Sequence, residues 1–376
     1  MNLLIIVTVI SLFISLFLAF FLLTVKTKHK TSNVLFAVFL IITAIDTSDP
    51  LLGLLTDRPS NLGMLKTTLA FLQIPVFYLY VLSVCYSDFK FKSKYLIHLL
   101  PFLIANVILL PRFYTVDIAS KIDFIINRQT RIELQLTHIL FHMQVLIYFI
   151  AIFILLRKAK KLYLENNAGT SINSYNWLFQ FTLVLTILYV IVIFKNIFKF
   201  SDYPYISEWI KIGILVLQLF IVCWYLFKAL NNPGLFRNID SKLKLVSDII
   251  LEEKMNEPEK VNEKEYNEEL VKLKKYMVEE KPFLNPSLTI QDISDEIKIP
   301  VRDLSLLINH QIGQHFFDFI NTYRIENAKT ILKDPTKNKV TVLEILYEVG
   351  FNSKSSFNTA FKKHTGFTPT VYRKQL

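Results

Sequence analysis

The segment from Val340 to Gly366, VTVLEILYEVGFNSKSSFNTAFKKHTG, has the pattern of two short helices joined by a tight turn. Gly350 stands where the chain would turn, and glycine readily adopts the positive φ that such a turn needs. Phe357 and Phe361 are one helical turn apart, so both are expected on the buried face of the second helix. The pattern predicts a helix-turn-helix unit.

A similar pattern lies upstream, from Leu288 to Gly313, in LTIQDISDEIKIPVRDLSLLINHQIG. Thr289 is a candidate N-cap, and Pro300 suits the first turn of the following helix. The apolar positions recur at helical spacing and form the predicted inner faces: Ile290, Ile293, Ile297, Leu304, Leu307 and Ile308. A longer helix, FFDFINTYRIENAKTIL, follows this unit. The C-terminal region is therefore predicted to be a small all-α domain with two helix-turn-helix units.

NTYRIENAKTIL and the later segment VTVLEILYEVGFNSKSSFNTAFKKHTGFTPTVYRK resemble the DNA-binding domain of AraC/XylS-type transcription regulators. The resemblance covers roughly Asn285 to Lys374, and its most specific part is the order GF, SSF and FKKHTGFTPTVYR. It implies two helix-turn-helix units joined by one long helix, with both recognition helices entering adjacent major-groove segments on one face of DNA. Seven membrane spans in front of this domain resemble a membrane-bound branch of such regulators.

The C-terminal residues carry the charge expected of a DNA-binding surface. Gly350 to Leu376 contains five basic residues and no acidic residue, which suits phosphate binding. Arg and Lys can read guanine, and Asn can read adenine. The side chains predicted to read bases are Arg302, Ser305 and Asn309 in the first unit, and Ser353, Lys354, Ser356 and Thr359 in the second. Those predicted to contact phosphates are Lys362, Lys363 and Arg373.

Two features depart from the family pattern. Leu346 stands where a small residue is usual, which should disturb packing only locally. The first recognition helix, VRDLSLLINHQ, contains Arg302 as its only Arg or Lys, which predicts a weaker hold on DNA. The aromatic residues of the C-terminal segment are expected in the core rather than stacked on bases: Phe351, Phe357, Phe361, Phe367 and Tyr372.

The residues before this domain have a different composition, because long apolar runs fill positions 1–230. Hydrophobic residues make up 52% of the 376-residue chain, and the mean hydropathy is +0.39, too apolar for an ordinary soluble protein. A helix needs roughly 20 apolar residues to cross a bilayer. Seven segments are predicted to do so: Leu3–Val25, Val34–Leu55, Leu69–Tyr86, Tyr95–Leu110, Leu134–Leu156, Tyr175–Phe194 and Ile206–Phe227. The predicted fold class is all-α, a seven-helix transmembrane bundle followed by the tandem helix-turn-helix domain.

Basic residues follow the odd-numbered spans, as in KTKHKTSN after the first and RKAKK after the fifth. Because loops rich in Lys and Arg stay in the cytoplasm, the N-terminus is predicted outside and the DNA-binding domain inside. The expected location is the cytoplasmic (inner) membrane of a bacterium, with several spans. The net charge of +11 suits both nucleic acid and an anionic membrane surface.

A few ionisable residues lie inside the predicted spans, where they are costly unless they face a partner, water or a ligand. Asp46 and Asp49 fall in span two, and His138 and His142 in span five. One hypothesis is a polar, outward-facing pocket that senses a small ligand or other signal; the alternative is internal pairing that fixes helix register. The two histidines share a helix face, but no third metal ligand is evident, so interhelical hydrogen bonding is preferred. We expect no metal and no cofactor.

The predicted domains are residues 1–230, a charged helical connector at 231–281, and residues 282–376. The connector carries two apolar stripes, Leu243, Val246, Ile249 and Ile250, then Leu270, Leu273 and Met277. The stripes suit either a helical contact between two chains or a solvated tether with one helix facing a core. A homodimer is therefore possible but is not established by the sequence.

These features predict a membrane-bound one-component transcription regulator, not an enzyme. Its partners would be double-stranded DNA, the lipid bilayer and a small ligand or signal. One alternative is an intramembrane enzyme or transporter with a regulatory tail, built on Asp46, Asp49, His138 and His142. Another is a cytoplasmic module that uses the helix-turn-helix fold to bind protein.

Overall fold

The computed structural model of the chain describes residues 3–26, 30–55, 58–86, 89–168, 172–199, 201, 203–231 and 263–375. Within these residues every regular element is helical, as the sequence predicted. The chain divides into two compact bodies. Of the described residues, those within 3–157 and 176–231 belong to the N-terminal body, and those within 158–175 and 263–375 belong to the C-terminal body.

The N-terminal body is a set of long apolar helices. They are α1 (Leu3–Thr24), α2 (Lys30–Thr47), α3 (Asp49–Leu55), α4 (Asn61–Thr68), α5 (Ala70–Cys85), α6 (Leu100–Leu109), α7 (Ile118–Ile126), α8 (Ile132–Asn166), α9 (Ile172–Lys199) and α10 (Pro204–Asn231). A 3₁₀ turn at Ser93–Leu99 precedes α6, and a π turn at Leu110–Tyr114 follows it.

Among the described residues, seven helical stretches are long and apolar enough to cross a membrane. They are Leu4–Thr24, Lys30–Gly53, Asn61–Cys85, Ser93–Tyr114, Ile132–Asn166, Tyr175–Lys199 and Tyr205–Tyr225. Each overlaps one of the seven predicted segments. Ser48 lies in a turn between α2 and α3 and interrupts the second stretch.

The fifth span is longer than predicted. The sequence pattern ended it at Leu156, but α8 continues to Asn166. The extra residues, RKAKKLYLEN, are mostly good helix formers, so the helix extends beyond its apolar section. Residues 158–166 belong to the C-terminal body, so α8 begins in one body and ends in the other.

Aromatic rings form much of the core of the N-terminal body. Phe36 is 1% exposed, and its ring centroid lies 4.2 Å from that of Tyr225 and 4.7 Å from that of Tyr80. Phe181 contacts the same group, with its centroid 5.3 Å from that of Tyr225. Burying rings of this size contributes strongly to helix packing.

The C-terminal body contains the two predicted helix-turn-helix units. Its helices are α11 (Glu263–Glu279), α12 (Ile290–Ile297), α13 (Val301–Leu306), α14 (Phe316–Lys333), α15 (Val342–Glu348), α16 (Lys354–Thr365) and α17 (Pro369–Lys374). Short turns at Pro282–Leu284, Leu307–Gln311 and Pro335–Lys337 complete the path. Helix α14 is the long helix expected between the two units.

Each helix-turn-helix unit has its own apolar cluster. The first contains the predicted inner faces of α12 and α13, together with Leu273 and Met277 of α11. The second stripe of the connector therefore faces a core, whereas Leu243, Val246, Ile249 and Ile250 lie outside the described residues. The second cluster contains Leu346, Phe351, Phe357 and Phe361, among others. Leu346 is fully buried there, as its apolar side chain requires.

Local signals fix the starts of these helices. Thr289 caps α12 as predicted and forms a capping box with Asp292, and Thr341 does the same for α15 with Glu344. Two orphan backbone donors are satisfied in each box. Pro300 is the N-cap of α13 rather than a residue of its first turn, one position earlier than expected.

A buried arginine in the C-terminal body forms hydrogen bonds to the segment before α12 and to the residue that follows the C-terminal end of α8. Arg324 on α14 is 1% exposed and donates to the carbonyls of Phe283, Ala168 and Asn285, each at 2.7 Å. Three charge-assisted hydrogen bonds compensate for burying its charge. Ala168 follows α8, so Arg324 also fixes the end of that helix against the helix-turn-helix region.

Candidate functional sites

The second helix-turn-helix unit presents a basic helix to solvent. After α15 the chain turns at Gly350, which has φ +89°, and Phe351 N–H donates to the carbonyl of Leu346 at 2.8 Å. Helix α16 then begins at Lys354, with Ser353 as its N-cap. Phe357 and Phe361 point into the core at 0% exposure, which confirms their predicted burial and leaves the opposite face of α16 outside.

The exposed face of α16 contains Lys354, Ser355, Thr359, Lys362 and Lys363. Within the part of the chain that the structure describes, Lys354 and Lys362 have no ion-pair partner. Lys363 differs, because its Nζ lies 2.6 Å from Asp318 Oδ1. Thus α16 offers two side-chain cations that remain available to an external anion.

The second helix of the first unit is shorter and less regular than α16. Helix α13 is only six residues long and passes into a π turn, Leu307–Gln311. Asn309 Nδ2 donates to the carbonyl of Ser305 at 2.9 Å, and Asn309 Oδ1 lies 3.0 Å from His315 Nδ1. Arg302 is exposed, and its Nη1 lies 3.8 Å from Asp303 Oδ1. This helix therefore offers less free polar and basic surface than α16.

A cavity of about 380 Å³ lies within the N-terminal body. Asp46, Asp49 and His138 line it. A second space of about 480 Å³ shares Asp49 with it and is also lined by Glu208. The cations that line both spaces are Arg128, Lys195, Lys199 and Lys211. Lys66 forms an ion pair with Asp49.

A chain of hydrogen-bonded polar side chains also borders the cavity. Gln73 Nε2 donates to Thr43 Oγ1 at 2.7 Å, and Tyr189 OH donates to Gln73 Oε1 at 2.6 Å. Gln73 is 5% exposed. A buried chain of hydrogen bonds of this kind holds the surrounding helices in one register, because unpaired polar groups there would be costly.

His142 is outside the cavity lining. Its Nε2 lies 3.1 Å from Nδ2 of Asn196, a residue that does line the cavity. This contact joins α8 to α9, which is the interhelical hydrogen bond preferred for the HILFH motif. Among the described residues, no group of three or more His, Cys, Asp or Glu side chains converges on a metal-sized site.

Residues 293–375 match a family model described as a helix-turn-helix domain. This segment is an AraC-type helix-turn-helix domain. The match spans α12 to α17, apart from the first residues of α12, and it confirms the resemblance drawn from the sequence.

Related proteins match over the same C-terminal part of the chain. An uncharacterised HTH-type transcriptional regulator of Staphylococcus aureus (strain COL) is 35% identical over 86 residues, which cover 23% of this chain and 11% of the relative. The melibiose operon regulatory protein of Escherichia coli (strain K12) is 28% identical over 88 residues, 23% of this chain and 28% of the relative.

The transcriptional regulatory protein YesN of Bacillus subtilis (strain 168) is 30% identical over 93 residues, covering 24% of this chain and 25% of the relative. The chain therefore aligns with about a tenth to a quarter of the length of these curated relatives. No solved structure matches the chain significantly.

The AraC-type domain does not expose every residue predicted to contact DNA. Ser305 is 5% and Ser356 is 9% exposed, so both side chains lie inside the domain. The expectation that Ser356 lies at the surface was wrong, because it is close to the core-facing Phe357 on α16. Arg373 donates from Nη1 to the carbonyl of Val340 at 2.7 Å, which uses this side chain inside the domain. Phe367, expected in the core, is 43% exposed.

Sequence reasoning missed several residues of these sites. Ser355 is exposed between Lys354 and the rest of α16, but no spacing rule distinguishes it from Ser353 or Ser356. Arg128 lies between α7 and α8, in a stretch of mixed charge that gave no local signal. Gln218 of α10 also lines the cavity. Its presence inside an apolar run was the available signal, because an amide is uncommon in a membrane helix.

Proposed function

We propose that this chain is a membrane-bound transcription regulator that binds specific DNA through its AraC-type domain, under the control of a signal sensed by its N-terminal helices. The observation that carries the DNA-binding part is α16. This helix exposes Lys354 and Lys362 on one face while it buries Phe357 and Phe361 on the other. A capped, basic helix at the surface of a helix-turn-helix unit is suited to the major groove.

Within this proposal the residues of α16 have different roles. Lys354 at the start of the helix, with Ser355 and Thr359, would meet base edges, since the N-terminal part of a recognition helix reads bases. Lys362 and Lys363 at its C-terminal end would contact phosphates. Ser353 serves as the N-cap of α16. Of the three side chains predicted to read bases in the first unit, Arg302 is exposed and Ser305 is buried. Asn309 forms hydrogen bonds within the domain.

Membrane attachment is supported by the seven apolar helices among the described residues. Their outer surfaces carry large exposed apolar side chains, such as Phe13, Phe17 and Phe20 at 58–68% exposure, which water would not favour and lipid would. The basic loops after the odd-numbered spans support a cytoplasmic position for the AraC-type domain in a bacterium. There it can reach DNA.

The test of DNA binding uses the full-length chain in nanodiscs. Sequences would be selected from random duplexes, and the best one titrated at several salt concentrations. Lys354→Ala should relax the preference at one base position, at a cost of roughly 1–3 kcal/mol. Lys362→Ala should weaken all sequences alike and lower the salt slope by about 1. Lys272→Ala, an exposed lysine on α11, is the matched control. Binding without any sequence preference would refute the proposal.

Helix α8 is the proposed route from sensing to DNA binding. Its residue His138 lines the cavity. Beyond its C-terminal end, Ala168 N–H donates to the carbonyl of Leu288 at 3.0 Å, and Asn167 forms an antiparallel bridge with Thr289. Thr289 caps α12, the first helix of the first helix-turn-helix unit. Any shift of α8 would therefore act directly on that unit.

This route can be tested by locking the bridge. The variant Asn167→Cys with Thr289→Cys, made in a chain with Cys85→Ala and Cys223→Ala, would form a disulfide that holds the end of α8 on the AraC-type domain. We expect DNA affinity to differ between the oxidised and reduced forms. The single-cysteine variants should show no such difference. Equal DNA affinity with and without reductant would exclude α8 as the controlling element.

A further inference from the structure

The cavity in the N-terminal body has an excess of positive charge. Four cations line both this cavity and the second space, namely Arg128, Lys195, Lys199 and Lys211. The acids on the same walls are Asp46, Asp49 and Glu208. Asp49 is already engaged by a fifth cation, Lys66. Among the described residues of these walls, Asp46 and Glu208 therefore remain opposite Arg128, Lys195 and Lys211, and clustering like charges at the edge of an apolar bundle is costly unless an anion joins them.

The remainder of the cavity is largely apolar. Met64, Phe71 and Leu109 line it and are 8%, 5% and 1% exposed. Such a lining binds a hydrocarbon group and leaves the charged end to the cations. Two amide oxygens on these walls, Asn196 Oδ1 and Gln218 Oε1, are buried without a donor among the described residues.

We infer that the cavity binds a small amphipathic anion, with its carboxylate or phosphate at Lys195 and Lys211 and its apolar body among Met64, Phe71 and Leu109. This inference rests on the proposed sensing function and names the chemical class of the signal. A free organic acid and the phosphate headgroup of an anionic lipid share this chemistry. The experiment below separates these two sources.

Tryptophan fluorescence reports on this body alone, because Trp177, Trp209 and Trp224 are all the tryptophans of the chain and all lie in the N-terminal body. The full-length protein in phosphatidylcholine nanodiscs would be titrated with octanoate and with octyl phosphate. The neutral octanol and the cationic octylammonium have the same chain length and serve as matched probes. Saturable signals are expected with the two anions and not with the other two probes.

Three variants locate the site. Lys195→Gln with Lys211→Gln should weaken binding of octyl phosphate about tenfold or more. Lys195→Arg with Lys211→Arg keeps the charge and should retain binding. Lys92→Gln with Lys94→Gln removes the same charge from exposed positions outside the cavity lining and should leave the titration unchanged. Circular dichroism of each variant confirms that its helices are formed.

Nanodiscs that contain phosphatidylglycerol identify the source of the anion. If the occupant is a lipid headgroup, this lipid should compete with octyl phosphate, and the Gln variant should abolish the competition. If the occupant is a free acid, the titration should be the same in both lipids. Equal responses to octanol and octanoate, or no saturable response to either anion, would overturn the inference. DNA binding by the same preparation is measured separately, so a failed regulator and a failed anion site give different results.

Discussion

The two helix-turn-helix units have the same order of elements, but their second helices differ in length and in what they expose. Helix α16 has 12 residues and exposes Lys354, Thr359 and Lys362. Helix α13 has six residues and passes into a π turn. There Ile312 N–H donates to the carbonyl of Leu307 at 3.2 Å, five residues back. The same order of helices thus does not give the same DNA-facing surface.

Asn309 offers a physical reason for the difference. Its side-chain amide bonds the carbonyl of Ser305, and side chains that bond nearby backbone groups in this way compete with regular helix geometry. Helix α16 contains a comparable bond, from Thr359 Oγ1 to the carbonyl of Ser355 at 2.8 Å, but Asn309 is also held at its Oδ1 by His315 Nδ1 at 3.0 Å. Helix α16 ends only at Gly366, at φ +80°, after its basic last turn. We propose that the second unit reads DNA and that the first unit mainly supports and positions it.

The largest expected effect concerns the turn glycines. A Cβ on Gly350 would lie 2.5 Å from the Phe283 carbonyl oxygen and 2.8 Å from that of Leu284. Gly350→Ala should therefore cost about 3 kcal/mol, from backbone strain and overpacking together. Gly313 of the first unit also has positive φ, but its Cβ would meet no atom within 4 Å. Gly313→Ala should cost only about 1 kcal/mol.

Hydrogen exchange of the amides in α12 to α17 measures both changes in the full-length chain. If Gly313→Ala were as damaging as Gly350→Ala, then φ alone would set the cost. The close approach of the second turn to Phe283 and Leu284 would then be unimportant.

Effects of intermediate size are expected from substitutions that distinguish the role of the α13 region from that of α16. Asn309→Ala removes the hydrogen bonds to Ser305 and His315, so it should destabilise the domain by about 1 kcal/mol while the preferred base sequence stays the same. Lys354→Ala should change the preferred base sequence and leave the stability of the domain unchanged, because Lys354 is exposed and unpaired among the described residues. Unfolding by hydrogen exchange and repeated sequence selection measure the two properties. A change in base preference with Asn309→Ala would show that the first unit reads DNA as well.

The smallest effect is a pH dependence at the start of α15. The backbone N–H of Thr341, and then its hydroxyl, donate to the Glu344 carboxylate and hold its pKa below the ordinary value of 4.5. Because the folded-state pKa is lowered, this contribution to stability is complete above pH 4.5 and is lost as the pH falls through the lowered pKa. Glu344→Gln should therefore remove part of the acid sensitivity of α15 and α16.

Exchange rates of the amides in α15, measured from neutral pH down to mild acid, would test this prediction. Thr289→Ala in the first unit is the matched control, since it removes a cap without changing Glu344. Parallel pH profiles for wild type and Glu344→Gln would contradict the assignment.

Much of the fold could be predicted because it depends on local patterns. The seven apolar runs, the capping threonines Thr289 and Thr341, and the turn at Gly350 are properties of short segments. The sites were harder to predict. The inward hydrogen bond of Arg373, for example, depends on the carbonyl of Val340, 33 residues away. Helical periodicity shows which face a residue shares, but it does not show what covers that face.

The combination of apolar helices with a tandem helix-turn-helix domain can be read from the amino-acid sequence, because hydrophobic periodicity and turn chemistry act over a few residues. The folded chain is needed to show that Arg128 and Lys195 line the same cavity, and that Arg324 donates to the carbonyl of Ala168. These groups are far apart along the chain. They come together because buried polar groups must find partners and buried apolar faces must pack, and both requirements are met only in the folded chain.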